Sequence, residues 1–557
     1  MINKINQLMA RALQCFQSGN HDEAELILIK VLVTQPKNFD ALHILGVLKG
    51  IKNQHYAALE FFRKALRVNS NDSFLNFNIA KTFSEIGEDQ KALKFHSIAT
   101  ILNPNHPEGW LSYGKSLSNL KKFDESLNLF SKAVALNPDY AEAWTNLGCV
   151  LKELGRFQEA LDSFDKSLKI NPYIAETWSN SGIALLKLRL VEEAVASFDR
   201  AIEIKPDYAE AYSNRGNALL ELKRVEEAVA SFDKAIEINP DYAEAYWNKS
   251  LTLLLTGQFS QGWKLYEWRW KRNTFTSSKR DFPQPLWSGT KDIAGKTLLL
   301  HAEQGLGDTI QFCRYAKLVK ALGARVMLEV PKALLSLFSG LEGVDELIEK
   351  GKALPALDYH CPLLSLPLAF KTDLTNIPSP KPYLAATHQK REEWAQRLGL
   401  KEKPRVGLVW SGSTGHKNDH NRSLTFQQLL PHLPNCCEYV SLQKEVREVD
   451  VLVLEGSGIR HYEKQLKDFT DTAALCELMD LVISVDTSVA HLAGALGKTT
   501  WVLLPYAPDW RWMLDRSDSP WYPNHRLFRQ KISDDWISFF KEMETELKSL
   551  VYRPSQL

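Results

Sequence analysis

A period of 34 residues runs through the first half of this 557-residue chain and constrains its fold more than any other feature. Prolines, small residues and large aromatic residues each recur at that spacing, with Ser70 in the one vacant proline position. The prolines are Pro36, Pro104, Pro138, Pro172, Pro206 and Pro240, one set of small residues is Gly46, Ala80, Gly114, Gly148, Gly182 and Gly216, and the aromatic residues are Trp110, Trp144, Trp178, Tyr212 and Tyr246. The pattern predicts stacked helical hairpins, because a small residue lets two helices approach, an aromatic ring fills the gap between neighbours, and proline ends a helix.

A 34-residue period with this alternation of small and large residues is typical of the tetratricopeptide repeat. Residues 1–275 are therefore predicted to form an all-α superhelix of about eight hairpins. The last hairpin, up to Arg272, departs from the pattern. Such a departure suits a terminal repeat that docks onto another part of the chain or acts as a hinge.

Asparagine occupies one fixed position on the first helix of several repeats, including Asn146, Asn180, Asn214 and Asn248. These helices are expected to line the concave face, so the amides would form a ladder there. A carboxamide both donates and accepts hydrogen bonds, so the ladder is a candidate clamp for the backbone of a protein or peptide acceptor. The alternative is that asparagine is simply common at this position of generic arrays.

Charge and composition exclude several classes of protein. Lys and Arg number 68 against 67 Asp and Glu, which provides no long-range attraction to nucleic acid or to an anionic membrane. No run of 18 apolar residues is present, so no membrane span is predicted. The seven cysteines are scattered and form no CxxC motif, which favours a reducing, cytoplasmic location.

The second half of the chain alternates short β-rich runs with helices, which predicts parallel sheets in an α/β fold. Residues 271–290 lose helical periodicity and mark a boundary, and a second break falls at 371–388. The predicted domains are therefore 1–275, 276–388, and 389–557 with a C-terminal helix. The predicted strands are Thr297–Leu300, Arg325–Val330, Val406–Trp410, Glu438–Leu442, Leu481–Val485 and Thr500–Leu504.

Glycines and polar residues follow four of these strands, and ligands of open α/β sheets bind at the carboxyl ends of strands. The first strand is followed by a glycine turn and an aspartate, another by a Gly/Ser loop with two cations, and two more by amide, carboxylate and hydroxyl groups. The residues are Gly305, Gly307 and Asp308; Lys417 and Arg422; Gln443; and Asp486, Thr487, Ser488 and His491. The loop and the helix start near Ser488 predict an anion site. The alternatives are an ordinary helix cap at Asp308, a solvated loop around Lys417 and a structural histidine.

A Trp- and Arg-rich segment at 509–530 is expected to pack around this cleft, with Arg511 as a further candidate phosphate partner. The sequence contains no GxxxxGK[ST], no HExxH and no GxSxG motif, and no DxD follows a predicted strand. We therefore expect a mechanism without a metal and without a cofactor.

The second half resembles bacterial glycosyltransferases of the heptosyltransferase type (glycosyltransferase family 9), over roughly residues 295–535. The resemblance is carried by GLGD at 305–308, by the loop with Lys417, and by DTSVAHLAGALG at 486–497. It implies the GT-B fold, with two Rossmann-like lobes, of which the first holds the acceptor and the second the nucleotide-sugar. Repeats followed by such a transferase form a frequent bacterial architecture, and the arrangement is similar to that of protein O-linked N-acetylglucosamine transferase.

The resemblance implies a role for each matching residue. Asp308 corresponds to the base that deprotonates the acceptor hydroxyl, and Lys417 to a lysine that stabilises the donor phosphate. The segment from Asp486 to His491 corresponds to the part that holds the donor diphosphate. Ser488 departs from the family, which often has glycine there, and the spacing around Lys417 differs, which makes Arg422 the alternative phosphate partner.

These expectations predict an inverting, metal-independent glycosyltransferase that moves a sugar from a nucleotide-sugar to a hydroxyl of a protein chosen by the repeats. Two alternatives remain open. One is a non-catalytic repeat scaffold, and the other is a transferase that acts on a glycolipid or a lipopolysaccharide-type glycan.

Overall fold

The computed structural model describes residues 2–275, 277, 279–378, 381–415, 418–532 and 535–550. The chain forms two compact units, Met1–Ala218 and Leu219–Leu557. The first unit is entirely helical. The second contains the last repeat helices and all nine strands that are found in the described part of the chain.

Sixteen α-helices precede the first strand, in agreement with the predicted superhelix of about eight hairpins. Successive helices, such as the third and fourth, pack against each other as hairpins. The helices are α1 Ile2–Gln17, α2 His21–Thr34, α3 Phe39–Ile51, α4 His55–Leu66, α5 Ser73–Glu85, α6 Asp89–Leu102, α7 Pro107–Asn119, α8 Phe123–Leu136, α9 Ala141–Glu153, α10 Phe157–Ile170, α11 Ala175–Lys187, α12 Val191–Ile204, α13 Ala209–Glu221, α14 Val225–Ile238, α15 Ala243–Leu255 and α16 Phe259–Tyr266.

Contacts inside each hairpin explain the 34-residue period. A Cβ atom added to Gly148 would lie 2.5 Å from Cε1 of the fully buried Phe164, so only glycine lets the two helices approach this closely. The repeated tryptophan and proline are joined as well, because Nε1 of Trp144 donates to the carbonyl oxygen of Pro138 at 2.8 Å. The period therefore records a packing contact and a hydrogen bond that recur in successive repeats.

The second unit contains two parallel sheets. Their strand orders are β3-β2-β1-β4 and β6-β5-β7-β8-β9. The strands are β1 Thr297–His301, β2 Arg325–Val330, β3 Glu346–Glu349, β4 Tyr359–Pro362, β5 Arg405–Val409, β6 Glu438–Ser441, β7 Leu481–Val485, β8 Thr500–Leu504 and β9 His525–Arg529. All six predicted strands are confirmed to within one residue, and the α/β class is confirmed with them.

Helices alternate with these strands. The α-helices are α17 Leu306–Phe312, α18 Ala316–Ala321, α19 Lys332–Leu335, α20 Leu366–Ala369, α21 His388–Leu398, α22 Asp419–Arg422, α23 Phe426–Leu429, α24 Glu448–Ser457, α25 Phe469–Glu477, α26 Ser488–Ala495 and α27 Trp536–Leu550, and the 3-10 helices are Glu267–Lys271, Cys313–Tyr315, Leu363–Ser365, Leu430–His432 and Trp510–Trp512.

The last repeat hairpin, α15 and α16, is built into the core of the α/β half. Trp263 is almost fully buried, its Nε1 donates to the carbonyl oxygen of Thr372 at 3.1 Å, and its ring lies 5.2 Å from that of Trp510. Just beyond it, the buried Arg269 forms two hydrogen bonds with Glu303, at 2.8 and 2.9 Å. The hairpin thus contacts the α/β half as a docked element, and the compact unit begins inside α13 instead of at residue 276.

Part of the segment that the sequence marks as a boundary packs along β4, the edge strand of the first sheet. Leu286 forms a parallel bridge with His360, and the amide of Trp287 donates to the carbonyl oxygen of His360 at 2.9 Å. Phe282 stacks on the His360 ring at 4.2 Å. Residues 282–287 therefore follow a sheet edge without forming a regular strand, in agreement with the low periodicity of the sequence there.

Candidate active site

A cavity of about 910 Å³ lies at the carboxyl ends of strands from both sheets. Residues that follow β1, β5, β6, β7 and β8 all line it. The cavity brings together nine of the predicted site residues: Gly305, Gly307, Asp308, Arg422, Gln443, Asp486, Thr487, Ser488 and His491. Lys417 lies outside the described residues.

Strand order explains why these residues meet. In the second sheet β5 lies between β6 and β7, so the connections that leave β5 and β7 diverge in opposite directions. A crevice opens where two such connections part, and that crevice is the ligand site of open α/β sheets. Arg422 bridges it, since its Nη1 donates to the carbonyl oxygen of Asp486 at 2.8 Å.

The start of α26 supplies donors to the cavity. Thr487 is the N-cap residue, and no side chain caps the helix. The first amides of a helix have no partner inside it and carry the positive end of its dipole, so the N–H groups of Ser488 and Val489 suit an anion. Gly412 lets the Arg422 guanidinium lie alongside, because an added Cβ would meet Nη2 at 2.6 Å.

Asp308, near the start of α17, is paired with Arg511. Nη2 of Arg511 donates to Oδ1 of Asp308 at 2.6 Å. The same guanidinium donates from Nη1 to Oδ1 of Asp509 at 2.9 Å and from Nε to Oε1 of Gln311 at 2.8 Å. The arginine predicted as a phosphate partner therefore also fixes the carboxylate predicted as the base.

Asp486 is a half-buried carboxylate, with a side chain that is 16% exposed, and its pKa is raised. Burial is the main cause that raises the pKa of Asp486 to about 6, and the nearby carboxylate of Asp509 is the second. The positive charges of Arg422 and Arg511 act in the opposite direction. The group thus changes charge close to neutral pH, where an ordinary aspartate is fully ionised.

His491 is held as a neutral imidazole. Burial, and then the positive charge of Arg511, lower the pKa of His491 well below its usual value. Nδ1 lies 3.1 Å from the hydroxyl of Tyr522, the ring stacks on Trp512 at 5.4 Å, and Nε2 lies 3.9 Å from Oδ1 of Asp486. These contacts give His491 a packing role beside the cavity.

Gln443 fixes the loop that follows β5. Its Oε1 accepts from the amides of Trp410 and Ser411, both at 3.0 Å, and its Nε2 donates to the hydroxyl of Ser411 and the carbonyl oxygen of Glu445, both at 2.8 Å. The amide is thus already bonded at both ends, so its role is to hold the shape of the cavity wall.

The two predicted glycines differ in purpose. An added Cβ at Gly307 would lie 2.9 Å from Cδ2 of His491 and 3.4 Å from Cα of Ser488, so Gly307 permits the close packing of α17 against α26. At Gly305 an added Cβ would meet only Asp308, at 3.4 Å or more. Of the two glycines, only Gly305 has space for an added Cβ.

Sequence reasoning missed a group of lining residues from the repeats. Leu220, Leu251, Thr252 and Leu255, from α13 and α15, line the same cavity as Asp308. Nothing in the 34-residue pattern distinguishes these positions from their equivalents in earlier repeats. Asp468 and Phe469, at the start of α25, were missed because no predicted strand precedes them.

The asparagine ladder is partly engaged within its own helices. Nδ2 of Asn146 and Asn180 donates to the carbonyl oxygen four residues earlier, at 2.8 and 2.9 Å, and Oδ1 of Asn180 accepts from Lys152 at 3.0 Å. Each carboxamide nitrogen has a second hydrogen to donate. Asn214 and Asn248 are half-buried.

Metal ligands and membrane spans were the subjects of the remaining expectations, and both findings concern only the part of the chain that the structure describes. The described ranges contain no group of three or more His, Cys, Asp or Glu side chains placed to hold a metal ion. Within the same ranges, no helix is both long and apolar enough to cross a membrane.

Comparison with known families identifies the repeats. Tetratricopeptide-repeat profiles match residues 39–72, 114–155, 141–173 and 180–243. Among curated proteins, the chain is 27% identical over 327 residues to Protein FlbA of Caulobacter vibrioides, covering 53% of each chain. It is 27% identical over 100 residues to the Beta-barrel assembly-enhancing protease of Yersinia pestis, which covers 18% of this chain and 21% of the protease. The chain thus spans about half of FlbA and about a fifth of the protease.

Solved structures match over the repeats as well. YrrB, described as a TPR protein with an unusual peptide-binding site, is 27% identical, covers 34% of this chain and 98% of its own, and has a TM-score of 0.30. A tetratricopeptide repeat protein from Parabacteroides merdae is 20% identical, covers 45% and 99%, and has a TM-score of 0.37. The profile matches, together with the sixteen helices, establish that the N-terminal half of the chain consists of tetratricopeptide repeats.

Proposed function

We propose that the α/β half is a GT-B glycosyltransferase that moves a sugar from a nucleotide-sugar to a hydroxyl group, on a protein held by the repeats. One observation carries the proposal. A single cavity of about 910 Å³ brings the carboxylate of Asp308 together with the uncapped start of α26 and with Arg422. Its volume is in the range of sites for small molecules and cofactors, roughly 300–1,000 Å³.

The donor diphosphate would bind at the start of α26. The amides of Ser488 and Val489 and the guanidinium of Arg422 offer hydrogen bonds and positive charge to phosphate oxygens without a metal ion. As the bond between the anomeric carbon and the diphosphate breaks, negative charge develops on the leaving oxygen. Donors that are already in place stabilise that charge in the transition state.

Asp308 would act on the acceptor. Its carboxylate takes the proton of the acceptor hydroxyl while the hydroxyl oxygen attacks the anomeric carbon. The new C–O bond forms as the bond to the diphosphate breaks, and the electron pair of that bond leaves with the diphosphate. Attack from the opposite face inverts the anomeric configuration.

The repeats would choose the acceptor. Tetratricopeptide arrays bind peptide segments of partner proteins, and leucines of α13 and α15 line the cavity beside Asp308. All seven cysteines are described and none forms a disulfide, which suits the cytoplasmic location that we propose.

A non-catalytic scaffold is the second candidate. It is favoured by the ion pair of Asp308 with Arg511, which weakens Asp308 as a base, and by profile matches that fall within the repeats. In this case the cavity would bind a ligand without turning it over, or bind none.

A thermal-shift panel of UDP-, GDP-, ADP- and CMP-sugars on the full-length chain tests the proposal. Binding to the native state must raise the melting temperature. A ligand at 100 times its Kd adds about 2.7 kcal/mol to the free energy of unfolding. We expect one nucleotide class to stabilise the wild type and to lose its effect in Arg422→Ala. Arg526→Ala, an arginine of β9 outside the cavity lining, is the matched control. Stabilisation by none of the four would reject the donor site.

A further inference from the structure

Arg511 lines the cavity and connects α17 to its own segment of the chain. It holds Gln311 and Asp308 of α17 and also Asp509, and only 8% of the residue is exposed. Gln311 is fully buried, so the guanidinium is anchored at Nε by a group that cannot move to solvent. Nη2, in contrast, holds Asp308, whose side chain is 24% exposed.

This pairing opposes the chemistry proposed for Asp308. A carboxylate that is bonded to a guanidinium is stabilised in its charged form, so it accepts a proton less readily. The basicity of such a carboxylate rises when the guanidinium binds another anion in its place. The site offers one, because Arg511, Arg422 and the start of α26 all line the cavity where a diphosphate would lie.

We propose that Arg511 is a donor-operated switch, an inference that rests on the proposed function. The diphosphate of the donor replaces Asp308 as the acceptor of the hydrogen bond from Nη2 of Arg511. Nε stays bonded to Gln311, and Nη1 stays bonded to Asp509. Asp308 becomes a competent base only when the donor is present. The donor therefore binds before the acceptor is activated, and Arg511 acts as a positioning residue for Asp308.

Competition for one guanidinium has a measurable consequence. If Asp308 and a diphosphate compete for Arg511, removal of the Asp308 charge must tighten the binding of a diphosphate. Hydrogen bonds between charged groups are stronger than those between neutral groups, so we expect a gain in affinity of about tenfold. The gain must disappear when Arg511 cannot form the pair.

The experiment is titration calorimetry of inorganic diphosphate into the full-length chain at one pH. Asp308→Asn keeps the shape of the side chain and removes the charge. Asp468→Asn is the matched control, because Asp468 lines the same cavity and accepts a hydrogen bond from the amide of Thr470 instead of from Arg511. We expect about a tenfold gain for Asp308→Asn, less than threefold for Asp468→Asn, and no gain from Asp308→Asn in an Arg511→Lys background.

Equal gains in the two aspartate variants, or a loss in Asp308→Asn, would overturn the switch. If Arg511→Lys does not fold, the comparison of the two aspartate variants decides the question alone. If nucleotide-sugars bind the wild type while Asp308→Asn brings no gain, the switch fails and the proposed function stands. If neither diphosphate nor nucleotide-sugars bind any variant, both fail.

Discussion

At the residue scale, Asp308 and Arg511 form the contact on which the account of the cavity depends. The two residues are 203 positions apart, so no local pattern could have revealed their pairing. The sequence did predict Asp308, because it follows a glycine turn after a buried strand. It could not predict that Arg511 balances the charge of this carboxylate.

Replacement of Asp308 by asparagine tests its role as the base. We expect turnover to fall by about 10³-fold, since a positioned general base contributes 10²–10⁴-fold, while the nucleotide-sugar still binds. Initial rates and donor affinity should be measured on the same preparation. Asp468→Asn serves as the control that keeps turnover within a few-fold. Wild-type turnover in Asp308→Asn with bound donor would show that another group is the base.

Asp486 predicts a pH dependence of stability. Its pKa is raised from 3.8 to about 6 in the folded protein, so the native state binds a proton more tightly than the unfolded chain. The stability that this proton provides is fully present below about pH 3.8 and is lost as pH rises through about 6. A shift of this size corresponds to roughly 3 kcal/mol.

Asp486→Asn removes that titration. We expect its melting temperature to exceed that of the wild type at pH 7.5, because the buried charge is gone. The difference should shrink toward zero at pH 4, where the wild-type carboxyl is largely protonated. A difference that stays constant between these two pH values would contradict a raised pKa at this position.

Gln443 illustrates how residue-scale inference fails. Its place after a strand correctly puts it in the wall of the cavity. Its amide, however, is bonded to Trp410, Ser411 and Glu445. Position in the chain predicts which residues reach the cavity, but the hydrogen bonds that a side chain has already formed are settled only by tertiary packing.

At the element scale, helices α17 and α26 meet directly, and Gly307 allows that contact. Gly307→Ala places a methyl group 2.9 Å from His491. Overpacking typically costs about 1–3 kcal/mol, which outweighs the better helix propensity of alanine, at most about 1 kcal/mol. We therefore expect a lower melting temperature and weaker donor binding, because the start of α26 shifts.

Gly305→Ala is the matched control for this contact. The residue has φ −53° and ψ 154°, a conformation open to alanine, and its added Cβ comes no closer than 3.4 Å to Asp308. A loss of a few tenths of a kcal/mol is expected, from the weaker N-cap preference of alanine. Thermal melts measure the effect of both substitutions. Equal destabilisation by the two would argue against close packing at Gly307.

The strands that were missed have a common physical cause. β3 and β4 are each four residues long, and two or more residues of each are only half-buried. β9 carries His525, Arg526 and Arg529 in five residues. Short or polar edge strands contain little apolar sequence, whereas five of the six predicted strands, all except the edge strand β6, are mostly buried and five or six residues long.

At the scale of the whole molecule, the last repeat hairpin belongs to the α/β half. Trp263, Tyr266 and Arg269 are buried there, and Arg269 neutralises Glu303. A period in the sequence shows where repeats occur. It does not show which repeat is buried against another domain.

Two fragments test this division. We expect residues 219–557 to fold and to melt cooperatively, and residues 276–557 to fail to fold. Loss of a buried ion-pair partner and of a core tryptophan costs about 3–5 kcal/mol each, against a total stability of about 5–15 kcal/mol. Circular dichroism melts of both fragments measure the outcome. A stable, cooperative 276–557 fragment would contradict the docking of the hairpin.

The asparagine ladder makes a prediction about acceptor use. Replacement of Asn180, Asn214 and Asn248 by alanine should raise the KM for the acceptor about tenfold or more, through loss of several hydrogen bonds of about 1 kcal/mol each. Donor affinity should be unchanged. Asn128→Ala is the control, because Asn128 makes the same bond to the carbonyl oxygen four residues earlier but is an exposed residue of the second helix of its hairpin. Equal loss of donor and acceptor binding would reject the clamp.

The proposed function requires that the protein transfer a sugar from a nucleotide-sugar bound in the cavity. Its most direct test is the release of nucleoside diphosphate, or of CMP from CMP-sugars, when the full-length chain is incubated with each donor of the panel and a protein extract as acceptor. We expect one donor class to be consumed, its label to appear on protein, and both signals to fall about 10³-fold in Asp308→Asn. Consumption of no donor, or equal consumption by the wild type and Asp308→Asn, would contradict it.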